Sequence, residues 1–150
     1  MNDTTVFKAL ESAAIGTMQP LKAVLDAMPW NGDGLVPAIA QQSDSGDVLM
    51  MAWMNREALL ETLTTGRVCY WSRSRGKLWR KGESSGQVQQ LEQAFLDCDG
   101  DTLLLKVNQT GPACHTGRRS CFYTRLTAQG GEVIEAPLID PGTLYGQTSH

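Results

Sequence analysis

The segment from Asp97 to Cys121 constrains the fold of this chain more than any other stretch. It contains three cysteines, three aspartates and one histidine, together with an apolar run at 102–107 and a Gly-Pro turn. Thiolates and imidazoles are typical zinc ligands, whereas carboxylates favour hard cations such as magnesium. So many potential ligands in one short stretch are unlikely to be incidental. We therefore interpret the segment as an active site built on metals.

Length, charge and hydrophobicity narrow the class of protein. A chain of 150 residues suits one domain with a sizeable core, and 41% hydrophobic residues is ordinary for a globular protein. The net charge of −3 argues against a general nucleic-acid binder. No apolar run approaches the ~20 residues of a membrane span, and the N-terminus lacks the apolar core of a signal peptide. We expect a cytoplasmic chain without nucleic-acid or membrane partners, whose four cysteines are ligands or free thiols.

Two regions are predicted along the chain: a helical extension at residues 1–29 and a main domain at residues 30–150. Apolar residues recur at helical spacing in the extension, and the run after Pro20 predicts a short helix that stops at Pro29. A turn cluster at 31–34 separates the extension from the main domain. Packing or a dimer contact is the ordinary role for such an extension.

The main domain contains many short apolar segments and one clear helix. A turn at 43–47 separates two strand-like runs and predicts a hairpin. Asn55 is typical of a helix N-cap, and Gly66 of the end of that helix. This pattern favours a β-rich α+β domain over a doubly wound sheet. The predicted strands are 35–41, 48–53, 67–72, 78–81, 88–96, 102–107 and 121–126.

Three of the four cysteines fit a catalytic zinc site. The chain has no Cys-x-x-Cys pair, so a zinc ribbon is excluded. A catalytic zinc usually has three protein ligands and an open position, which Cys98, Cys114 and Cys121 would satisfy. His115 is next to Cys114, and adjacent residues usually point apart, so we do not count it as a fourth ligand. Cys69, in an aromatic strand, is interpreted as a buried thiol.

The three aspartates alternate with other residues. In an extended segment Asp97, Asp99 and Asp101 would share one face, where a magnesium ion would neutralise them. An EF-hand loop is excluded because its sixth position, here Thr102, needs glycine and its twelfth, here Asn108, needs glutamate. A solvated acidic turn is the alternative.

This alternation has a consequence for zinc. If the segment is extended, Cys98 faces away from the aspartates, and its zinc is completed on the other side of the strand. Cys114 and Cys121 of a second subunit would then supply the remaining ligands, which places the zinc at a dimer interface. A bulge at Gly100 would undo this argument.

A basic cluster interleaved with Trp71 and Trp79 predicts a ligand-binding surface. Its members are Arg67, Arg73, Arg75, Lys77, Arg80 and Lys81. Such a surface holds phosphates by charge and a flat base by stacking. Single-stranded nucleic acid and a solvated hairpin rim are the alternatives, and the acidic net charge favours a small phosphorylated ligand. The residues that we predict to bind this ligand are Arg73, Arg75, Lys77 and Trp79.

Six motifs occur in one order between about Trp30 and Leu126. They are Leu35-Val36-Pro37-Ala38-Ile39, Met51-Ala52-Trp53-Met54-Asn55, Trp71-Ser72-Arg73-Ser74-Arg75, Leu78-Trp79-Arg80-Lys81-Gly82-Glu83, Asp97-Cys98-Asp99-Gly100-Asp101 and Ala113-Cys114-His115-Thr116-Gly117. In this combination the chain resembles the phosphoribosyl-AMP cyclohydrolase family of histidine biosynthesis. The family often has a histidine at the position of Gln87, and residues 1–29 are outside the resemblance.

The resemblance implies a metal-dependent hydrolase. It implies a short-stranded pseudo-barrel with a mixed or antiparallel sheet, one or two helices and an intertwined homodimer. One zinc ion per subunit would be shared across the dimer, bound by the three cysteines, and magnesium would lie at the three aspartates. The substrate would be the small nucleotide 1-(5-phosphoribosyl)-AMP.

The residues agree with this chemistry. Substitution at N1 makes C6 of adenine more electrophilic, and a zinc-activated hydroxide would break the N1–C6 bond. Zinc deaminases also attack this carbon, but their His-x-Glu and Pro-Cys-x-x-Cys motifs are absent here. His115 is the expected proton carrier, because the only other histidine is His150. The competing class is a binding module with closed zinc that holds nucleotides or RNA through the basic cluster.

Overall fold

The computed structural model describes residues 5–142, so residues 1–4 and 143–150 of the two predicted regions lie outside it. Helices and strands alternate irregularly along the chain. The helices are α1 (Thr5–Glu11), α2 (Leu21–Ala27) and α3 (Arg56–Thr65). The strands are β1 (Val36–Gln42), β2 (Val48–Met54), β3 (Cys69–Ser72), β4 (Lys77–Arg80), β5 (Gln89–Leu96), β6 (Leu103–Gln109), β7 (Thr124–Thr127) and β8 (Gly130–Val133). None of the helices within 5–142 is long and apolar enough to cross a membrane.

The first six strands form one mixed sheet in the order β4-β3-β2-β1-β6-β5, and β7 and β8 form a separate hairpin. Only β1 and β6 pair in parallel; the other neighbours are antiparallel. The sheet curls because the segment entering β3 also reaches β5: the Val68 amide donates to the Gln89 carbonyl (3.1 Å) and the Leu91 amide to the Gly66 carbonyl (2.7 Å). The predicted β-rich α+β pseudo-barrel is confirmed.

Local signals in the sequence determine several elements. Asn55 caps α3 by accepting the Ala58 amide (2.8 Å), and Gly66 ends the helix with φ of +78°. That left-handed conformation is easily adopted by glycine because it has no Cβ. The helix predicted after Pro20 is α2, and the hairpin predicted around 43–47 is β1–β2.

The core lies between the curled sheet and the helices. The N-terminal helices contribute Phe7, Leu25 and Met28 to the same cluster of buried side chains as the sheet. Polar contacts are enclosed in this core: the Tyr70 hydroxyl donates to Gln89 Oε1 (2.8 Å), and the Thr62 hydroxyl donates to the Ala58 carbonyl (2.9 Å). The N-terminal extension therefore packs directly on the main domain.

Two predictions about strands are wrong. Residues 97–101, which we expected to be extended, form the tight turn between β5 and β6, with Gly100 at φ of +74°. A residue in that conformation breaks strand alternation, so the aspartates and Cys98 do not lie on opposite faces of a strand. The strand expected at 121–126 starts later, at Thr124, and leaves Cys121 in the preceding loop.

Candidate active site

The loop after β6 brings two of the predicted zinc ligands together. We call residues 112–121 the thiol loop. The Cys114 amide donates to the Arg118 carbonyl (3.1 Å), and the Cys121 amide donates to the Leu49 carbonyl of β2 (2.7 Å). The Thr116 hydroxyl donates to Cys114 Sγ (3.1 Å). These bonds hold the Cys114 and Cys121 side chains close enough to interact with each other.

A buried cation lies beside the two thiols. Lys81 is only 4% exposed, and its ammonium donates to the Ala113 carbonyl (2.7 Å). Burial lowers the pKa of Lys81, and the negative charge of the Cys121 and Cys114 thiolates opposes that shift. Although Cys121 is exposed as a residue, desolvation of its thiol raises its pKa to about 12, and Cys114 adds to the increase. A further cation at the pair would therefore favour the thiolate forms.

Cys98 lies apart from this pair. It is an exposed residue of the turn before β6, whereas the thiol loop follows the end of β6. A strand of this length spans roughly 20 Å. Within residues 5–142, no three or more His, Cys, Asp and Glu side chains lie close enough together to hold a metal ion. One chain thus brings together two of the three predicted zinc thiols and leaves Cys98 separate.

The two thiols fit zinc only when a further ligand joins them. Thiolates are preferred zinc ligands, and a catalytic site needs three protein ligands. Cys114 and Cys121 supply a half-site with the right chemistry. Cys69 is not a candidate for the third ligand: it is fully buried, and desolvation raises its pKa to about 12, as expected for a buried thiol. The third ligand has to come from outside this cluster.

The predicted magnesium ligands form an exposed acidic turn, by which we mean residues 97–101. The Gly100 amide donates to the Asp97 carbonyl (3.0 Å), and the Asp101 amide donates to Asp97 Oδ1 (3.0 Å). Hydrogen bonding with Asp97 raises the pKa of Asp101, and the charges of Asp97 and Asp99 add to the shift. Partial desolvation of Asp97 acts to raise its pKa, but hydrogen bonds with Asp101, Thr102 and Gly100 outweigh this effect, so the pKa of Asp97 is lowered.

This crowding of carboxylates fits a hard divalent cation. Magnesium typically takes only one or two carboxylates from a protein and keeps several waters. The turn therefore does not need all three aspartates to surround the ion directly. Asp97 and Asp101 already interact, and the charge of Asp99 reaches Asp101. A bound cation would neutralise these like charges.

The basic cluster forms the wall of a broad cleft of about 660 Å³. Three of the four predicted ligand-binding residues, Arg73, Arg75 and Trp79, line it. The Arg73 guanidinium lies 4.9 Å from the centre of the Trp53 ring, a cation–π contact that orients it. Lys77 is exposed and does not line this cleft, so the structure separates it from the other three.

A second cleft, of about 240 Å³, brings His115 to the basic cluster. Arg75 and Trp79 border both clefts. The Trp79 ring packs on Tyr70 with the ring centres 5.5 Å apart, and Tyr70 is close enough to Cys121 that the thiolate adds to the desolvation that raises the tyrosine pKa. The proposed proton carrier, an aromatic platform and the thiol pair are therefore neighbours.

Sequence reasoning missed several residues of this second cleft. Lys81 was recognised only as a member of the basic cluster, although it is buried between Trp79 and the thiol loop. Ser84 and Ser85 were not among the residues predicted to bind the ligand, and they line the cleft. No local pattern in the sequence distinguishes Lys81 from the other basic residues of the cluster.

Comparison with known proteins gives one consistent result. The family model described as phosphoribosyl-AMP cyclohydrolase matches residues 50–123. A phosphoribosyl-AMP cyclohydrolase of Alkalilimnicola ehrlichii is 74% identical over 140 residues, which is 93% of this chain and 99% of the relative. That of Chromohalobacter salexigens is 71% identical over 144 residues, covering 96% and 99%. That of Alcanivorax borkumensis is 63% identical over 142 residues, covering 95% and 100%.

Proposed function

This chain belongs to the phosphoribosyl-AMP cyclohydrolase family, and from that premise we propose that it hydrolyses the N1–C6 bond of the adenine ring of 1-(5-phosphoribosyl)-AMP in histidine biosynthesis. The observation that carries the proposal is the second cleft. It places His115 beside Arg75, Trp79 and Lys81 and next to the thiol pair. A hydrolase of a phosphorylated purine needs a proton carrier, an aromatic surface and positive charge together.

The metal ligands follow from the donor chemistry. Zinc would be held by Cys114 and Cys121 of one subunit and by Cys98 of a second subunit in a homodimer. Two zinc thiols already face each other in one chain, and Cys98 is exposed elsewhere, which supports this division. When bound, zinc supplies Lewis acidity that lowers the pKa of a coordinated water molecule towards neutrality. Magnesium would bind at the acidic turn, where the carboxylates crowd each other.

The cleft residues bind and orient the nucleotide. Arg73 and Arg75 hold the phosphates by charge, and Trp79 supplies the surface on which the adenine ring stacks. Arg75 borders both clefts, so a nucleotide with its base near His115 extends a phosphate into the broader cleft. The indole of Trp79, held by Tyr70 on one side, also keeps water away from one face of the ring.

His115 moves the proton that the reaction requires. As water adds to C6, the imidazole accepts a proton from that water. The hydroxyl on C6 then loses its remaining proton to solvent as the carboxamide carbonyl forms, the N1–C6 bond breaks with its electron pair going to N1, and His115 delivers its proton to N1. His115 is exposed in the cleft, so it reaches a bound substrate without a rearrangement of the core. The Lys81 amino group lies 5.5 Å from the centre of the Trp79 ring and donates to the Ala113 carbonyl, which places it between that ring and the thiol loop.

The direct test combines a zinc count with an ultraviolet assay of ring opening on phosphoribosyl-AMP. We expect one zinc per chain and turnover that falls at least a hundredfold, in order of magnitude, when His115 is replaced by asparagine. The His115→Asn variant should retain its zinc. Full zinc occupancy and tight nucleotide binding without any ring opening in the wild type would favour the binding module and reject the enzyme.

A further inference from the structure

The N-terminal helix α1 covers the acidic turn through a single aromatic ring. Phe7 is only 7% exposed, and its ring lies directly on the backbone of Gly100. A Cβ atom added to Gly100 would stand 2.3 Å from Phe7 Cζ, far inside van der Waals contact. Gly100 is consequently buried although the aspartates on both sides of it are exposed.

The turn has few other means of holding its shape. Asp97 accepts the amides of Gly100 and Asp101, and its own amide donates to the Thr102 carbonyl (3.0 Å). The three carboxylates repel one another, which favours conformations that spread them apart. A ring packed against the one residue with positive φ restricts those conformations. Removal of the ring would leave Gly100 free to sample both halves of backbone space.

Phe7 is itself firmly positioned. It is part of the main hydrophobic core together with Leu25 and Met28 of α2 and its C-cap, and Leu10 and Val24 pack against that core. A cleft of about 300 Å³ runs between these helices and the turn, and it is bordered by Phe7, Leu10, Glu11, Val24, Leu96, Asp97 and Cys98. The N-terminal helices therefore connect the core to the candidate metal ligands.

We propose that Phe7 is a positioning residue that holds Gly100 in place, so that the acidic turn keeps the conformation that binds a divalent cation. This inference rests on the proposed magnesium site and deepens it. It assigns a role to α1, which precedes the 50–123 segment matched by the family model. The similarity to the Alkalilimnicola ehrlichii protein spans 140 of the 150 residues and so extends into the N-terminal helices.

The size of the effect follows from the population of the competent conformation. The apparent dissociation constant rises in inverse proportion to the fraction of chains whose turn is correctly shaped. If Phe7→Ala lowers that fraction to about a tenth, cation affinity falls roughly tenfold. Phe7→Leu keeps an apolar side chain on Gly100 and should lose only part of this factor.

The experiment titrates Mn²⁺, a spectroscopic substitute for Mg²⁺, into zinc-loaded full-length protein. Free Mn²⁺ is measured by electron paramagnetic resonance for the wild type, Phe7→Ala and Phe7→Leu. Val68→Ala is the matched control, because Val68 is also buried but bonds to Gln89, at the end of β5 that is remote from the turn. Amide hydrogen exchange at Gly100 and Asp101, without Mn²⁺, reports the order of the turn independently of any cation.

We expect Phe7→Ala to bind Mn²⁺ about tenfold more weakly and to exchange the Gly100 and Asp101 amides faster, with Phe7→Leu intermediate and Val68→Ala unchanged in both. Wild-type affinity and exchange in either Phe7 variant, with zinc content and circular dichroism unchanged, would overturn the proposal. If Phe7→Ala does not fold, Phe7→Leu alone decides.

A wild type that binds no Mn²⁺ at a site sensitive to Asp99→Asn rejects the magnesium assignment and this inference with it. Lost exchange protection at normal Mn²⁺ affinity rejects only the inference about Phe7.

Discussion

The thiol loop and the acidic turn are held in place by different means. The thiol loop is fastened to the β1–β2 hairpin: the Cys121 amide bonds to Leu49, the Ser120 hydroxyl to the Val48 carbonyl (2.8 Å), and Arg119 to Asp47 (3.1 Å). Among residues 5–142, the acidic turn makes hydrogen bonds within itself and with Thr102, and one aromatic ring packs on it. One region is built into the sheet, and the other projects from it.

This difference matches the metals that we propose. Zinc in thiolate sites has tetrahedral geometry and short bonds, so a fixed half-site is an advantage. Magnesium keeps several waters and accepts few protein ligands, so an exposed turn can serve it. Both regions bring together groups that repel one another when ionised, and both should be more ordered with a cation than without. Substitution of one ligand in the thiol loop should therefore abolish zinc binding, whereas substitution of one aspartate in the acidic turn should only weaken magnesium binding.

The largest effect is expected in the thiol loop. Cys114→Ser should abolish both zinc binding and turnover, because a serine hydroxyl is a poor substitute for a thiolate ligand. Zinc is counted by atomic absorption and ring opening by ultraviolet absorbance. Cys69→Ser is the matched control, since Cys69 is buried within β3 and should leave both unchanged. Full zinc and full rate in Cys114→Ser would reject this ligand.

A graded effect is expected in the acidic turn. Asp99→Asn should raise the Mg²⁺ concentration for half-maximal turnover roughly tenfold, because ligand charge sets the affinity of such sites. Bound zinc should not change. Asp44→Asn, in the exposed turn between β1 and β2, is the control. Turnover by the wild type that needs no divalent cation at all would contradict the assignment.

In the substrate cleft we expect an effect of comparable size that is confined to KM. Arg75→Ala removes a charged partner of a phosphate, so we expect a loss of roughly 1–3 kcal/mol, mainly in KM. Lys77→Ala should change KM less, because Lys77 does not line either cleft that Arg75 borders. Arg67→Ala is a control that changes the same charge outside both clefts. Equal KM values for all three variants would show that the basic cluster is a solvated hairpin rim and does not bind the substrate.

The smallest effect is expected away from both regions, where Arg80 forms two hydrogen bonds with Glu61 (2.8 and 2.7 Å) and connects β4 to α3. The hydrogen bonds from Arg80 lower the pKa of Glu61 below its ordinary value of 4.5. A carboxyl with a lowered pKa stabilises the fold above the ordinary value, and this stability is lost as pH falls through the lowered value.

Glu61→Gln should therefore slightly lower the melting temperature at pH 7, with the difference from wild type vanishing as the pH falls below about 4. Thermal unfolding followed by circular dichroism at several pH values measures this. Glu92→Gln, an exposed residue of β5, is the control. A difference that persists unchanged at low pH would show that the ion pair is not its cause.

The sequence predicted elements whose signals are local. The cap at Asn55, the glycine that ends α3 and the polar turn of the β1–β2 hairpin each act within a few residues, and the structure confirms them. The β8 strand, Gly130–Val133, was missed because it is exposed and lacks apolar alternation. Local signals were enough for most of the fold.

The sequence could not give the relation between the candidate ligands. Alternation at Asp97, Asp99 and Asp101 is compatible with a strand and with a turn, and the positive φ of Gly100 decides for the turn. Strand faces therefore give no support to a zinc shared between two subunits. The proposal now depends on the separation of Cys98 from Cys114 and on the family resemblance. Contacts between distant residues, such as Phe7 on Gly100 or Lys81 beside the thiols, leave no pattern in one sequence.

The central claim, that the rigid thiol pair is completed by Cys98 of a second subunit, is tested most directly by complementation. Cys98→Ser and Cys114→Ser chains, each inactive alone, are mixed and allowed to exchange subunits. In a heterodimer with shared sites, one of the two zinc sites carries both substitutions and the other carries none. We therefore predict that mixing restores zinc and turnover at one site per heterodimer. Heterodimers that form but regain neither zinc nor activity would contradict the account.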